Sequence, residues 1–149
     1  MPTYYIDANY FLRFILKDNL TQWKIANNYF EKAKQEKIKL VFLTEVILEI
    51  EYVMRKVYKL DRKLIFKYIS TLLVINSLEV IDREILKMAL LAYLNKNVDF
   101  VDAILFYKAE NRQAEVLSFD KDFAKLYHLL LNSIYSTSSI GLYSRPPME

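Results

Sequence analysis

The positions of this sequence best able to do chemistry are acidic: Asp7, Glu49, Asp102 and Asp120. Asp7 ends the hydrophobic run Tyr4-Tyr5-Ile6 and precedes Ala8-Asn9-Tyr10, so its carboxylate either projects from a strand end or caps the helix that follows. Glu49 flanks an apolar arc formed at helical spacing by Val46, Ile47, Ile50, Val53, Met54 and Val57. A salt-bridge partner and a carboxylate leaning into a cleft both fit that location. Asp102 shares a helical face with Leu105, Phe106 and Ala109. A carboxylate on such a stripe needs a cation, hydrogen bonds or a proton, because an unpaired buried charge is costly. Its ordinary alternative is interaction with the helix N-terminus, a part that Asp99, three residues earlier, suits better as the cap. In Ser118-Phe119-Asp120-Lys121-Asp122-Phe123, Asp122 reads as the cap and Asp120 as the functional group, with the Ser118 hydroxyl on the same side of the strand to orient it. Brought together, such carboxylates repel and raise their own pKa values unless divalent cations neutralise them, and hard oxygen ligands suit Mg²⁺ or Mn²⁺.

The elements that must position these groups alternate. Short β-rich runs occur at Thr3 to Ile6, Leu40 to Leu43, Leu78 to Ile81 and Glu115 to Phe119, with helical stretches between them. Asp18-Asn19 breaks the first crossover into two helices, Asn9 to Leu16 and Leu20 to Lys37. The second carries Trp23, Ala26, Phe30 and Ala33 at helical spacing. Thr44, Asp61 and Asp82 are suited to cap helices, and a last one runs from Asp99 to about Arg112. This order predicts an α/β fold with a parallel sheet, covered on both faces and joined by right-handed crossovers. Ligands of such sheets bind at the carboxyl ends of the strands, which directs attention to Asp7 and Asp120. Leu129 to Leu131 and Ile134-Tyr135 suggest an added edge strand. The serine-rich segment from Ser133 and Arg145-Pro146-Pro147 read as an appendage, giving a domain over residues 1–132 and a tail over 133–149.

Composition narrows the classes. A chain of 149 residues, 54% hydrophobic and 26% charged, fits one globular domain with a sizeable core. No apolar run is long enough to span a bilayer and no secretory signal is visible, so a cytoplasmic protein without membrane attachment is expected. The absence of cysteine excludes disulfides and thiolate metal sites. Gly141 is the only glycine, which excludes the glycine-rich loops of Walker and dinucleotide sites. The single His128 argues against a histidine-rich zinc site or a histidine-based triad, leaving carboxylates. The net charge of +3 says nothing about nucleic acid. Arg55, Lys56, Lys59, Arg62, Lys63 and Lys67 could line a phosphate backbone, although a solvated helical face is the preferred reading.

Taken together, the runs Tyr5-Ile6-Asp7-Ala8-Asn9-Tyr10-Phe11-Leu12-Arg13, Val46 to Met54, Val98-Asp99-Phe100-Val101-Asp102-Ala103 and Val116 to Phe123 make the sequence resemble the PIN domain over roughly residues 3 to 130. Within that family it is similar to the VapC-like toxins of type II toxin–antitoxin systems. The resemblance implies a PIN-like three-layer α/β/α fold with a central parallel sheet of four or five strands. It places Asp7, Glu49, Asp102 and Asp120 on the family's acidic site as catalytic and metal-binding residues. Asp99 and Asp122 follow as accessories, and Asn9 and Ser118 as supporting polar positions. It also implies one or two Mg²⁺ or Mn²⁺ ions, hydrolysis of RNA to 5′-phosphate and 3′-hydroxyl ends, a cognate antitoxin and a homodimer. The scarcity of glycine and the serine-rich tail depart from the family's usual pattern.

Other readings fare worse. A haloacid dehalogenase-type phosphatase needs a second Asp two residues after the first, where this chain has Asn9. A response-regulator receiver needs paired acids at its first strand, which are missing. The competing class is a PIN-like module that binds RNA or protein without cleaving; loss of an acid would mark it, and none is lost. No base-reading motif selects among RNA targets.

Overall fold

The protein, seen in a computed structural model, is described here over residues 1–136, with side chains through Leu131. Its elements are β1 (Thr3–Tyr5), α1 (Ala8–Leu16), α2 (Leu20–Lys34), β2 (Lys39–Phe42), α3 (Thr44–Lys56), α4 (Arg62–Val74), β3 (Glu79–Val80), α5 (Arg83–Lys96), α6 (Phe100–Asn111) and α7 (Asp122–Ser136). They form two compact units, residues 1–87 and residues 88 onward, each described by itself.

In the first unit the strands form a parallel sheet in the order β1-β2-β3. Tyr5 is in register with Val41, and Val41 with Glu79. Leu40, Val41 and Phe42 of β2 are all buried, as befits a central strand covered on both faces. Phe42 meets Phe11 of α1 edge-on at 5.9 Å between centroids, and Phe14 stacks on Phe30 of α2 at 3.9 Å. Each such burial contributes about 2 to 3 kcal/mol. Ala26, Phe30 and Ala33 form the buried face of α2, as their spacing predicts. Because parallel strands point the same way, Asp7, Thr44 and Asp82 stand just beyond the carboxyl ends of β1, β2 and β3.

The α/β class and the parallel pairing agree with the sequence, but the strand number differs. Three strands are present among the described residues rather than four or five. Residues Glu115 to Phe119 form no strand: Val116 is buried, yet Leu117 and Phe119 are 95% and 108% exposed. Alternation of apolar residues marks an extended chain, and only a paired neighbour makes it a strand. Leu129 to Leu131 and Ile134-Tyr135 belong to α7 instead of an edge strand. That helix inserts Phe123, Leu126 and Tyr127 into the core of the second unit at helical spacing, which outweighs the local β-propensity. The helix also crosses the expected boundary at residue 132, and the tail beyond Ser136 lies outside the described residues. Among the described residues no helix is long and apolar enough to cross a membrane.

Helix termini show what side chains do where the sequence offers choices. Asn19 and Asp61 are caps, accepting from the backbone N–H groups of Gln22 and Leu64 at 3.0 and 2.9 Å. Thr44 is not one: Leu43 holds the cap position, and the Thr44 hydroxyl donates instead to Asp82 at 3.1 Å. This bond ties the start of α3 to the loop after β3. Helices α2 and α6 end with bonds five residues back, Lys37 N–H to Lys32 and Ala114 N–H to Ala109, around left-handed Glu36 and Gln113. Those positions usually hold glycine. Lys17, Lys59, Asp82 and Asn97 are left-handed as well.

Between α4 and β3 the chain is closed by one side chain. The Arg83 guanidinium donates to the carbonyls of Leu73 and Ile75, which the end of α4 leaves without intrahelical partners, and to that of Leu78 just before β3. Arg83→Met keeps the aliphatic stem and deletes the donors. It is expected to lower unfolding free energy by about 2 to 3 kcal/mol, the cost of stranding partly buried acceptors, measured as a lower urea midpoint at unchanged slope.

Candidate functional site

The carboxylates of the second unit come together. Ligand oxygens of Asp102, Asp120 and Asp122 all lie within 4.8 Å of one another. Asp102 stands in the first turn of α6, and Asp120 and Asp122 lie at the entry to α7. The entry is built by two short backbone contacts. Ser118 Oγ accepts the Asp120 N–H at 2.9 Å, and Asp120 Oδ1 accepts the Asp122 N–H at 2.9 Å. The expected division of labour is thus reversed in part: Asp120 makes the turn-fixing bond, and Asp122 joins the cluster as its first helical residue. Lys125, one turn on, pairs with Asp122 at 3.0 Å. Ser118 orients its acidic neighbour through the main chain.

Asp99 also departs from expectation. It occupies the cap position of α6 but makes no side-chain cap hydrogen bond. Its charge acts on Asp102, whose pKa lies above the ordinary value of 3.8, first through burial and then through Asp99, Asp120 and Asp122. The face of α6 that is buried comprises Phe100, Ala103, Ile104, Phe106 and Tyr107, while Leu105 is exposed. Asp102 therefore stands half-buried at the margin of the core rather than in the middle of an apolar stripe.

In the first unit Asp7 takes the cap role, accepting the Tyr10 N–H at 2.8 Å. Its other oxygen is not used in this bond. Asp7 and Asn9 are exposed and line a cavity of about 280 Å³ with Tyr10, Arg13 and Gln22. Burial, with Tyr29 second, pushes the Tyr10 phenol up, so its hydroxyl keeps its proton. Arg13 is held by Asp18 at 2.9 Å and by the Tyr58 hydroxyl at 2.8 Å. Glu49 is exposed on α3. The buried acid of that helix is Glu51, 4% exposed and paired with Arg55 at 2.9 Å, which sequence reasoning passed over. An acid four residues before an arginine was the available signal. Arg55 is thus bound within α3, whereas Lys56, Lys59, Lys63 and Lys67 are solvated.

The family model for the PIN domain matches residues 4–129. The chain belongs to the PIN-domain family. This PIN domain is also 30% identical over 99 residues to a protein described as a VapC ribonuclease from Aquifex aeolicus (strain VF5), an alignment covering 66% of this chain and 73% of the relative. The VapC-like resemblance read from its motifs is therefore supported by a relative as well as by the family. No solved structure gave a match.

The donor set of this PIN domain fits a divalent ion. All donors are carboxylate oxygens, and two oxygens on one Mg²⁺ lie about 3 to 4 Å apart, so oxygens within 4.8 Å need only small rotations. Binding would also relieve the repulsion that raises Asp102.

That raised pKa fixes a sign. The folded state holds the Asp102 proton more tightly than the unfolded chain, so stability falls as pH rises from the ordinary carboxylate value of 3.8 through the raised one, and the penalty persists above it. In EDTA, Asp102→Asn is expected to melt at a higher temperature than wild type at neutral pH. The difference should vanish when the pH is lowered beneath the ordinary carboxylate value. A lower melting temperature for the variant at neutral pH would make Asp102 structural.

Proposed function

We propose that this PIN domain is a Mg²⁺- or Mn²⁺-dependent endoribonuclease, the toxin of a toxin–antitoxin pair. The observation that carries the reading is the cluster of Asp102, Asp120 and Asp122, which pairs short oxygen separations with a raised Asp102 pKa. The family resemblance implies catalytic roles for Asp7 and Glu49 as well. The VapC relative supports RNA as substrate; a cognate antitoxin, a homodimer and action in the cytoplasm belong to the toxin reading proposed here.

Asp102, Asp120 and Asp122 would hold the ion. When bound, the ion supplies Lewis acidity at the phosphate and lowers the pKa of a coordinated water. The chain's own groups do the remaining work. Asp120, fixed by the Asp122 N–H, presents its second oxygen at a set position. Asp102, half-buried in the first turn of α6, would offer the ion a carboxylate oxygen from a fixed helix end. Asp7, clamped by the Tyr10 N–H, holds its carboxylate at the end of β1 without needing a cation to do so.

Purified wild type with Mn²⁺ is expected to cut total cellular RNA into discrete fragments with 5′-phosphate ends, and EDTA to stop it. Asp102→Asn should lower the rate about 100-fold or more, the scale of losing several kcal/mol of metal-assisted stabilisation. Asp7→Asn should lose activity at unchanged stability, since Asn caps as well as Asp, whereas Asp7→Ala should also lose about 1 kcal/mol of stability. Intact metal binding without cleavage of any RNA by wild type would favour a silent binding module instead.

A further inference from the structure

Beside Asp7 the surface of the first unit has two adjoining cavities of different character. The cavity of about 280 Å³ holds the polar groups Arg13, Gln22 and Asn9. The other, of about 440 Å³, is walled by Tyr4, Tyr5, Tyr10 and Tyr29. Asp7, Tyr10 and Ile25 line both. The aromatic side is arranged rather than incidental. Tyr29 meets Tyr4 edge-on at 5.3 Å and Tyr10 edge-on at 6.2 Å, and Lys32 sits over its ring at 5.4 Å. Two of the rings are nonetheless left in water: Tyr4 is 40% and Tyr5 68% exposed, while Tyr93 and Tyr127 are 1% and 2% exposed. On the polar side Arg13 is immobilised by bonds that all use Nη1. A guanidinium has five N–H donors, so Nη2 and Nε keep donors for an anion.

We propose that this paired cavity is a nucleotide subsite for single-stranded RNA, with a backbone phosphate on Arg13 and its base against the tyrosines, chiefly Tyr5. A cation beside a wall of exposed aromatic rings is the chemistry by which single strands are held without regard to sequence. A duplex presents its bases stacked inside and offers no face to Tyr5, so the subsite selects unpaired RNA. Asp7 lines both cavities, so on the ribonuclease reading the subsite holds a nucleotide of the substrate. The inference deepens the ribonuclease reading and rests on it for that last point only.

The test separates the two claims. Binding of a short fluorescein-labelled single-stranded RNA is measured by anisotropy in EDTA, where no cleavage occurs, with the same sequence as a duplex for comparison. Tyr5→Ala is expected to weaken single-strand binding roughly tenfold, the scale of one lost stacked base, and Tyr5→Trp to restore it. Arg13→Gln should flatten the salt dependence by about one phosphate contact, which Arg13→Lys preserves; melting curves check that each variant folds. In cleavage assays Tyr5→Ala should lower kcat/KM by about the factor lost in binding, chiefly through KM. Equal binding of Tyr5→Ala and wild type, or equal binding of duplex and single strand, overturns the subsite even if Asp102→Asn abolishes cleavage. Tyr5-dependent binding by a wild type that cuts nothing sustains the subsite and sinks the ribonuclease reading.

Discussion

Carboxylates that do not pair with cations must be held in place by something else, and in this chain short-range hydrogen bonds do it. Asp7 is fixed by the N–H of Tyr10 and Asp120 by the N–H of Asp122, each within a few residues of the acid itself. Asp82 receives the Thr44 hydroxyl, which joins the ends of β2 and β3. These donors are neutral, so they orient an acid without cancelling its charge. A lysine or arginine in the same place would compete with metal for the oxygens, as Lys125 does at Asp122. The repulsion left over is visible at Asp102, which is pushed toward its protonated form by burial and by three acidic neighbours. A cluster of this kind stores unfavourable electrostatics in the fold, which a bound cation would release.

What the sequence disclosed about the fold follows the range of the forces involved. The α1–α2 break at Asp18-Asn19, the buried stripe of α2 and the strand ends at Asp7 and after Phe42 depend on neighbours close in sequence, and these were legible. The fourth strand was not, because a ladder needs a partner from elsewhere in the chain, and the alternation of Val116, Leu117 and Phe119 cannot supply one. The same limit explains Thr44, whose hydroxyl is claimed by Asp82, 38 residues on, before it can cap anything.

The site was legible in its residue types more than in its assignments. Asp102 and Asp120 do enter one acidic cluster, and Ser118 does orient Asp120. Sequence logic gave Asp122 the cap and Asp120 the chemistry because each residue was allotted one task, whereas a carboxylate has two oxygens and can perform both. Asp99 does hold the cap position of α6, but without a side-chain bond, and its charge falls on Asp102. Glu51 escaped notice because a lone acid between apolar neighbours looks like a solvated position until its arginine is seen to neutralise it.

The left-handed residues at Lys17, Glu36, Lys59, Asp82, Asn97 and Gln113 bear on how this chain can evolve. Each side-chain-bearing residue in that conformation forgoes roughly 1 kcal/mol that glycine would not, less for asparagine and aspartate. Helix exits built without glycine therefore leave a latent reserve of stability spread over the surface. Glycine at Lys17, Glu36, Lys59 or Gln113 would draw on that reserve without replacing any acid of the proposed centre, partly offset by the freer unfolded chain. The reserve is large enough to absorb a destabilising change elsewhere, so the lineage of this protein has room to alter its binding surface before the fold itself becomes limiting.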